Sequence, residues 1–256
     1  MESANEKSTR PVLQSFVDEK FMKMDFPAHI VIIGKTMSGK SHLAGKIINS
    51  VEKIFTTSGS LKFLVVLSPH ERLEESLTDR LDSGWTIIHF PVQKFNQEII
   101  DRMMDYLSST GILGGEIIVL IDDLAVQVNS STNASLFLVK TFALLRHQNI
   151  ALLMTVQNTS PVIMDVIQNC TIVLIMQSFG SFSTLTKIVR VFVGLAHVPS
   201  LLRKIYPLLE ENHKGGYITV NLSHEADKNK QFTLTNDIMS RVGFTKQYLQ
   251  MISLQC

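Results

Sequence analysis

The eight residues GKTMSGKS, Gly34 to Ser41, constrain this chain more than any other segment. They fit G-x-x-x-x-G-K-[ST], in which glycines let backbone N–H groups curl around phosphates, the lysine reaches the β and γ oxygens, and the final hydroxyl ligates Mg²⁺. The pattern carries meaning between a buried strand and a helix, and that is its setting here. The apolar run AHIVII precedes it and the periodic segment HLAGKIINSVEKI follows. A helix starting at Ser41 adds the positive end of its dipole. Lys40 and Ser41 are therefore expected to hold phosphate and Mg²⁺, with Gly34, Lys35, Thr36, Met37, Ser38 and Gly39 forming the cradle.

The rest of the chain sets the fold around that loop. Apolar runs of strand length occur at 28–33 (AHIVII), 62–67 (KFLVVL), 86–90 (TIIHF), 117–121 (IIVLI), 150–156 (IALLMTV) and 171–176 (TIVLIM), alternating with helix-length segments. Near-continuous apolar strands separated by helices predict an α/β fold, a mostly parallel sheet with helices on both faces. Phe95, Ile99, Met103 and Leu107 recur every four residues, the stripe of an amphipathic helix. Leu136 to Leu145 is apolar nearly all round, which predicts a helix buried between the sheet and a neighbour. From Phe182 the pattern loosens into helices around Leu185 to Gly194 and Ser200 to Glu211. A C-terminal β-hairpin and helix are expected to follow, the hairpin formed by GYITVNL and QFTLT about the polar turn HEADKNK. The expected organisation is a charged arm over residues 1–27 and a nucleotide-binding domain over 28–256, its core at about 28–180 and its extension at about 181–256.

A second acidic element completes the site. The run IIVLI leads directly into Asp122 and Asp123. A carboxylate ending a buried strand beside the loop can hold Mg²⁺, and the next acid can take a proton from the attacking water, so Asp122 is assigned to the metal and Asp123 to the base. About 80 residues, filled by two strand–helix units, separate Lys40 from Asp122. That spacing fits the additional-strand class of P-loop ATPases, whereas GTPases and nucleotide kinases generally set the two strands side by side. The sole Asn-Lys pair, Asn229-Lys230, is followed by Gln231 and lacks the Asp that guanine recognition needs, so ATP is favoured over GTP. The strand IALLMTV runs into Thr155-Val156-Gln157-Asn158, where Gln157 is placed to orient the attacking water. Arg146, in LLRHQN, is either a helix-terminal cation favoured by the dipole or an arginine finger offered to a neighbouring subunit. His147 beside it reads as a cap or a solvent-facing residue.

Composition narrows the chemistry further. Cys170 lies in an apolar run and Cys256 is the last residue, so the two offer neither a disulfide framework nor Cys-x-x-Cys metal spacing, and a reducing compartment is expected. No apolar run is long enough to span a bilayer, and the polar first residues lack a signal peptide's apolar stretch, so neither secretion nor membrane insertion is expected. The formal net charge of +1 conceals an uneven distribution. Residues 1–123 carry 13 basic and 17 acidic side chains, residues 124–209 carry six basic ones against the single acid Asp165, and residues 210–256 carry five of each. Near-neutrality therefore does not exclude a polyanion partner.

Taken together, GKTMSGKS, the strand ending VVLSP, LIDDL, and FALLRHQNIALLMTVQN followed by a further strand resemble the poxvirus-type genome-packaging ATPases. That group belongs to the FtsK/HerA superfamily and occurs in large DNA viruses, virophages and Polinton-like elements. The resemblance covers roughly residues 28–180. It implies a ring, commonly a hexamer, that hydrolyses ATP at subunit interfaces and drives double-stranded DNA into a preformed capsid. It also implies capsid partners and an intracellular location, host cytoplasm or nucleus, with possible association with the virion. Position by position, Lys40 and Ser41 match the phosphate and Mg²⁺ ligands, Asp122 and Asp123 the metal-site acid and the base, Gln157 the sensor, and Arg146 the finger. Asp123 departs from the Glu of much of the superfamily by one methylene. In a DNA motor the basic middle stretch would grip phosphates without reading bases. Lys187 and Arg190, three apart on one helix face, are the candidate contacts, with Arg203 and Lys204. At 256 residues the chain is expected to carry no added nuclease domain of the large-terminase kind, and not to cut DNA itself. The rival readings are another additional-strand ATPase, a helicase or DNA-partitioning enzyme, and a nucleotide-gated assembly protein.

Overall fold

The structure, a computed structural model, describes residues 24–50, 55–56, 63–69, 81, 85–92, 95–113, 115–122, 132–157, 166–176, 182–192, 198–199, 202–203, 206, 216–221, 232–237 and 247–251. The strand β1 (His29–Ile33) is buried along its whole length, yet its alternate residues serve different cores. Val31 and Ile33 join one apolar cluster and Ile30 and Ile32 another, as period-two alternation requires of a strand covered on both faces. The same division runs through β2 (Phe63–Ser68), β4 (Ile117–Ile121), β5 (Ile150–Val156) and β6 (Ile172–Met176), with β3 (Thr86–Pro91) at the edge. Each of these six strands begins and ends within one residue of its apolar run in the sequence.

Two helix layers close the two clusters. α1 (Lys40–Asn49) covers one face with Leu43, Ala44, Ile47 and Ile48. The other face takes α2 (Gln97–Ser109) through Ile100, Met103 and Leu107, and α3 (Thr132–His147) through Leu138, Phe142 and Leu145. α4 (Phe182–Phe192) joins the same face through Leu185, Ile188 and Val189. The all-round apolar character of α3 does not bury it completely: Ala143 and Leu144 lie on its exposed side, because α3 is the outer layer of its face within this chain.

The sheet order is β9-β8-β7-β6-β1-β5-β4-β2-β3, where β7 is Gly216–Asn221, β8 Phe232–Asp237 and β9 Gln247–Met251. The six strands from β6 to β3 are parallel, and β7, β8 and β9 add antiparallel to the β6 edge. β7 and β8 are the expected hairpin; the segment after it, where a helix was expected, instead includes β9, a strand held by its antiparallel pairing with β8. β5 lies between β1 and β4, pairing with both, so the strand before the glycine-rich loop and the strand before Asp122 are separated by one intervening strand. Met24–Asp25 forms a short parallel pair with Phe55–Thr56 apart from this sheet. The remainder of the expected arm, residues 1–23, lies outside the described residues, as does the HEADKNK turn.

Candidate functional site

The carboxyl ends of β1, β4 and β5 are adjacent, which brings together segments far apart in sequence. Gly34 starts the loop, its N–H donating to Val156 O at 3.0 Å and so tying the loop to the end of β5. A Cβ at Gly34 would come within 2.6 Å of Ser38 Oγ and 2.7 Å of Met176 Cβ, so only glycine fits. Gly39 takes φ +93, a left-handed conformation that glycine adopts without strain. Met37 stands at the crest with its side chain 97% exposed. Lys40 is buried and its Nζ donates to Lys35 O at 2.8 Å, which bends the ammonium back across its own loop.

The start of α1 suits an anion. Gly39 at its N-cap makes no side-chain cap bond and its first turn has no acidic residue, whereas α2 is capped by Asn96 Oδ1, which accepts from Ile99 N–H at 3.1 Å, and carries Glu98 in its first turn. The positive end of α1 is thus not offset by an acid or cap of its own.

Asp122 follows β4 and is held from several directions. Its backbone N–H donates to Leu67 O at 3.0 Å, extending the β2–β4 ladder to the residue that carries the carboxylate. Ser41 Oγ, on α1, donates to Asp122 Oδ1 at 3.3 Å and lies 3.4 Å from Oδ2. Thr155 Oγ1, on β5, donates to Oδ1 in a short hydrogen bond. Both Asp122 and Thr155 are buried. Beyond β5, half-buried Gln157 accepts through Oε1 from Thr36 Oγ1 at 2.9 Å, joining the loop to the strand that separates β1 from β4. The structure therefore brings Lys40, Ser41, Asp122 and Gln157 to one end of the sheet. Asp123 lies outside the described residues.

Ser41 Oγ and the Asp122 carboxylate are hard oxygen donors of the kind Mg²⁺ takes. Among the described residues no group of three or more His, Cys, Asp or Glu could hold a metal. That set fits Mg²⁺, which is usually held by one or two carboxylates together with substrate phosphates rather than by a full protein cage.

Arg146 is elsewhere. At the carboxyl end of α3, it donates from Nη2 to Asn169 O at 3.1 Å, just before β6 begins. This is the amino end of the parallel strands, roughly 17 Å from the loop given the five residues of β1 at about 3.3 Å each. Arg146 does not join the loop of its own chain. Its neighbours there include His29, whose Nε2 donates to Phe142 O at 2.9 Å and whose ring meets Phe142 edge-on. Burial, aided by the Arg146 charge and opposed by the Phe142 hydrogen bond, lowers the His29 pKa to about 4. Burial likewise pushes the Cys170 thiol far above its ordinary range, with Arg146 acting in the opposite sense. His147 is exposed.

The candidate polyanion contacts are on the face of the sheet that carries α2, α3 and α4. Lys187 and Arg190 are exposed on α4, opposite its buried Leu185, Ile188 and Val189, and Arg203 is exposed further along. Lys204 lies outside the described residues. Sequence reasoning placed Thr36 in the phosphate cradle but not against Gln157, and it assigned no role to Thr155 or His29. Thr155 had a signal available: it is the one hydroxyl in the apolar strand IALLMTV and lies two residues before Gln157, hence on the same face. The Thr36–Gln157 contact depends on β5 neighbouring β1 and left no local trace.

No protein-family model and no curated protein matches the sequence. Solved structures do. The DNA-packaging ATPase B204 of Sulfolobus turreted icosahedral virus superposes with a TM-score of 0.59 at 13% identity, over 82% of this chain and 98% of that one. The genome-packaging NTPase B204 of Sulfolobus turreted icosahedral virus 2, in complex with AMPPCP, gives 0.56 at 14% identity, over 81% and 96%. The same protein in complex with ATP-gammaS gives 0.55 at 14% identity, again over 81% and 96%. At such identity the likeness establishes the fold, an α/β sheet of the P-loop ATPase type.

Proposed function

We propose that the chain is the ATP-hydrolysing subunit of a ring, a hexamer on the strength of the family resemblance, that drives double-stranded DNA into a preformed capsid. The observation that carries the nucleotide reading is the meeting of Ser41 and Asp122, 81 residues apart in sequence, beside a buried Lys40 at an uncapped helix start. The genome-packaging part rests on the motif order in the sequence and on the shared fold with the B204 packaging ATPases over nearly their whole length.

In this reading the loop N–H groups and Lys40 bind the phosphates of ATP, and the closed packing under Gly34 fixes the cradle. Ser41 and Asp122 would hold Mg²⁺, which when bound offsets phosphate charge. Gln157, held through its Oε1 by Thr36, presents its amide towards the attacking water, and Asp123, next in the chain after Asp122, accepts that water's proton. Lys187, Arg190, Arg203 and Lys204 grip DNA phosphates without reading sequence. Arg146, remote from its own loop, supplies its guanidinium to the loop of the adjacent subunit.

Steady-state hydrolysis measured with no DNA, single strands, linear duplex and capsid components tests the proposal. Stimulation by duplex or by capsid components, lost in Lys40→Ala, is the expected result. Hydrolysis indifferent to all of them, or driven by single strands or forked DNA instead, would assign the fold to a different task.

A further inference from the structure

Asp122 accepts from two hydroxyls that differ in kind. The Ser41 contact is long and shared, 3.3 Å to one oxygen and 3.4 Å to the other, and comes from the helix whose hydroxyl belongs to the phosphate loop. The Thr155 contact is the closer one, made to Oδ1 between two buried residues. A shared long bond is easily exchanged when a better partner arrives, whereas a bond between two buried partners resists replacement. Thr155 is also fixed by its strand. Its backbone is in register with Ile32 of β1, which places the hydroxyl between the strand that leads into the loop and the strand that presents the carboxylate. No apolar core demands a hydroxyl there, since Leu153, two residues earlier on the same face, packs in the apolar cluster.

We infer that Thr155 is a positioning residue for the metal-binding carboxylate: its hydroxyl holds Asp122 Oδ1 so that the other oxygen and Ser41 Oγ are turned towards Mg²⁺. This rests on the nucleotide-site reading above. Second-layer groups that orient a metal ligand typically change metal affinity or activity by about 10- to 100-fold when removed. Ser41 is released to the metal, while Thr155 stays with the carboxylate in both the free and the loaded protein.

The test uses the full chain and a fluorescent ATP analogue, its binding titrated with Mg²⁺ and measured again in EDTA. Thr155→Val should raise the Mg²⁺ concentration needed for tight binding about tenfold and leave metal-free binding unchanged. Thr155→Ser should restore the wild-type requirement, because it returns the donor without the methyl. Should Thr155→Val fail to fold, Thr155→Cys, a weak donor of similar size, is expected to show the same shift. Mn²⁺ binding to the nucleotide complex, read by electron paramagnetic resonance, should weaken in parallel. A Thr155→Val protein with the wild-type Mg²⁺ requirement overturns the inference. So do equal losses with and without metal, which mark a structural role. Wild-type protein that binds the analogue no better with Mg²⁺ removes the nucleotide-site reading itself and this inference with it.

Discussion

The two ends of the parallel sheet bury polar groups in opposite ways. At the carboxyl end, Asp122 is buried but accepts from the Ser41 and Thr155 hydroxyls, and Lys40 is buried with a carbonyl partner. At the amino end, His29 is as deeply buried, its Nε2 donates to Phe142 O, and its Nδ1 has no hydrogen-bond partner among the described residues. Burial favours the uncharged imidazole there, and Arg146 nearby adds to the effect. One end of the sheet is furnished with donors and acceptors in excess of what packing needs, the mark of a site arranged for a charged ligand. The other solves only the problem of folding, apart from the exposed Arg146 at its rim.

The sharpest way to test that contrast is to remove charge at the loop. Lys40→Ala should lower ATP hydrolysis by about 10³-fold or more, in line with removing a preorganised electrostatic contact, while leaving the melting temperature near that of the wild type. A loss of folding instead would make the loop end as structural as the far end. Arg146→Ala tests whether the far end is purely structural. If Arg146 acts across a subunit interface as proposed, turnover should fall about 10³-fold with nucleotide binding intact, and mixing with Lys40→Ala subunits should restore part of it. A fall under tenfold with no complementation would reduce Arg146 to its bond with Asn169 O, worth about 1 kcal/mol.

His29 supplies a pH signature confined to the amino end. Its pKa in the folded protein is about 4 against an ordinary 6.5, so between those values the unfolded chain takes up a proton that the native state refuses. Stability then falls as pH drops from above 6.5 towards 4, by about 2 kcal/mol between pH 7 and pH 4.5. Denaturant unfolding of His29→Gln at both pH values should show that much less pH dependence than the wild type, with ATP binding at pH 7 unchanged. The smallest effect is expected on α4. Lys187→Ala with Arg190→Ala should weaken duplex binding uniformly across sequences and reduce the salt slope by about 2, with no change in DNA-free hydrolysis. An unchanged slope would make those residues a solvated helix face.

Much of the fold could be read from the sequence because six strands are buried on both sides and so appear as unbroken apolar runs. The loop was legible for a similar reason: Gly34 and Gly39 have steric duties that no other residue meets, and they stand at fixed spacing from Lys40 and Ser41. What stayed hidden depends on strand order. The place of β5 between β1 and β4 decides that Thr155 reaches Asp122 and that Gln157 meets Thr36, and no local pattern encodes it. The position of Arg146 at the far end follows from the direction of α3, which a sequence read residue by residue shows only as a basic residue ending a helix. A helix was expected with the hairpin and β9 was not, because QYLQM has too little apolar alternation to stand out as a strand.

The central claim is ATP-driven movement along duplex DNA, and displacement of a third strand from a DNA triplex measures it most directly. The wild-type protein should strip the third strand from linear duplex only when ATP and Mg²⁺ are both present, and Lys40→Ala should not. Active ATP hydrolysis on the same duplex with the third strand left in place would contradict the account.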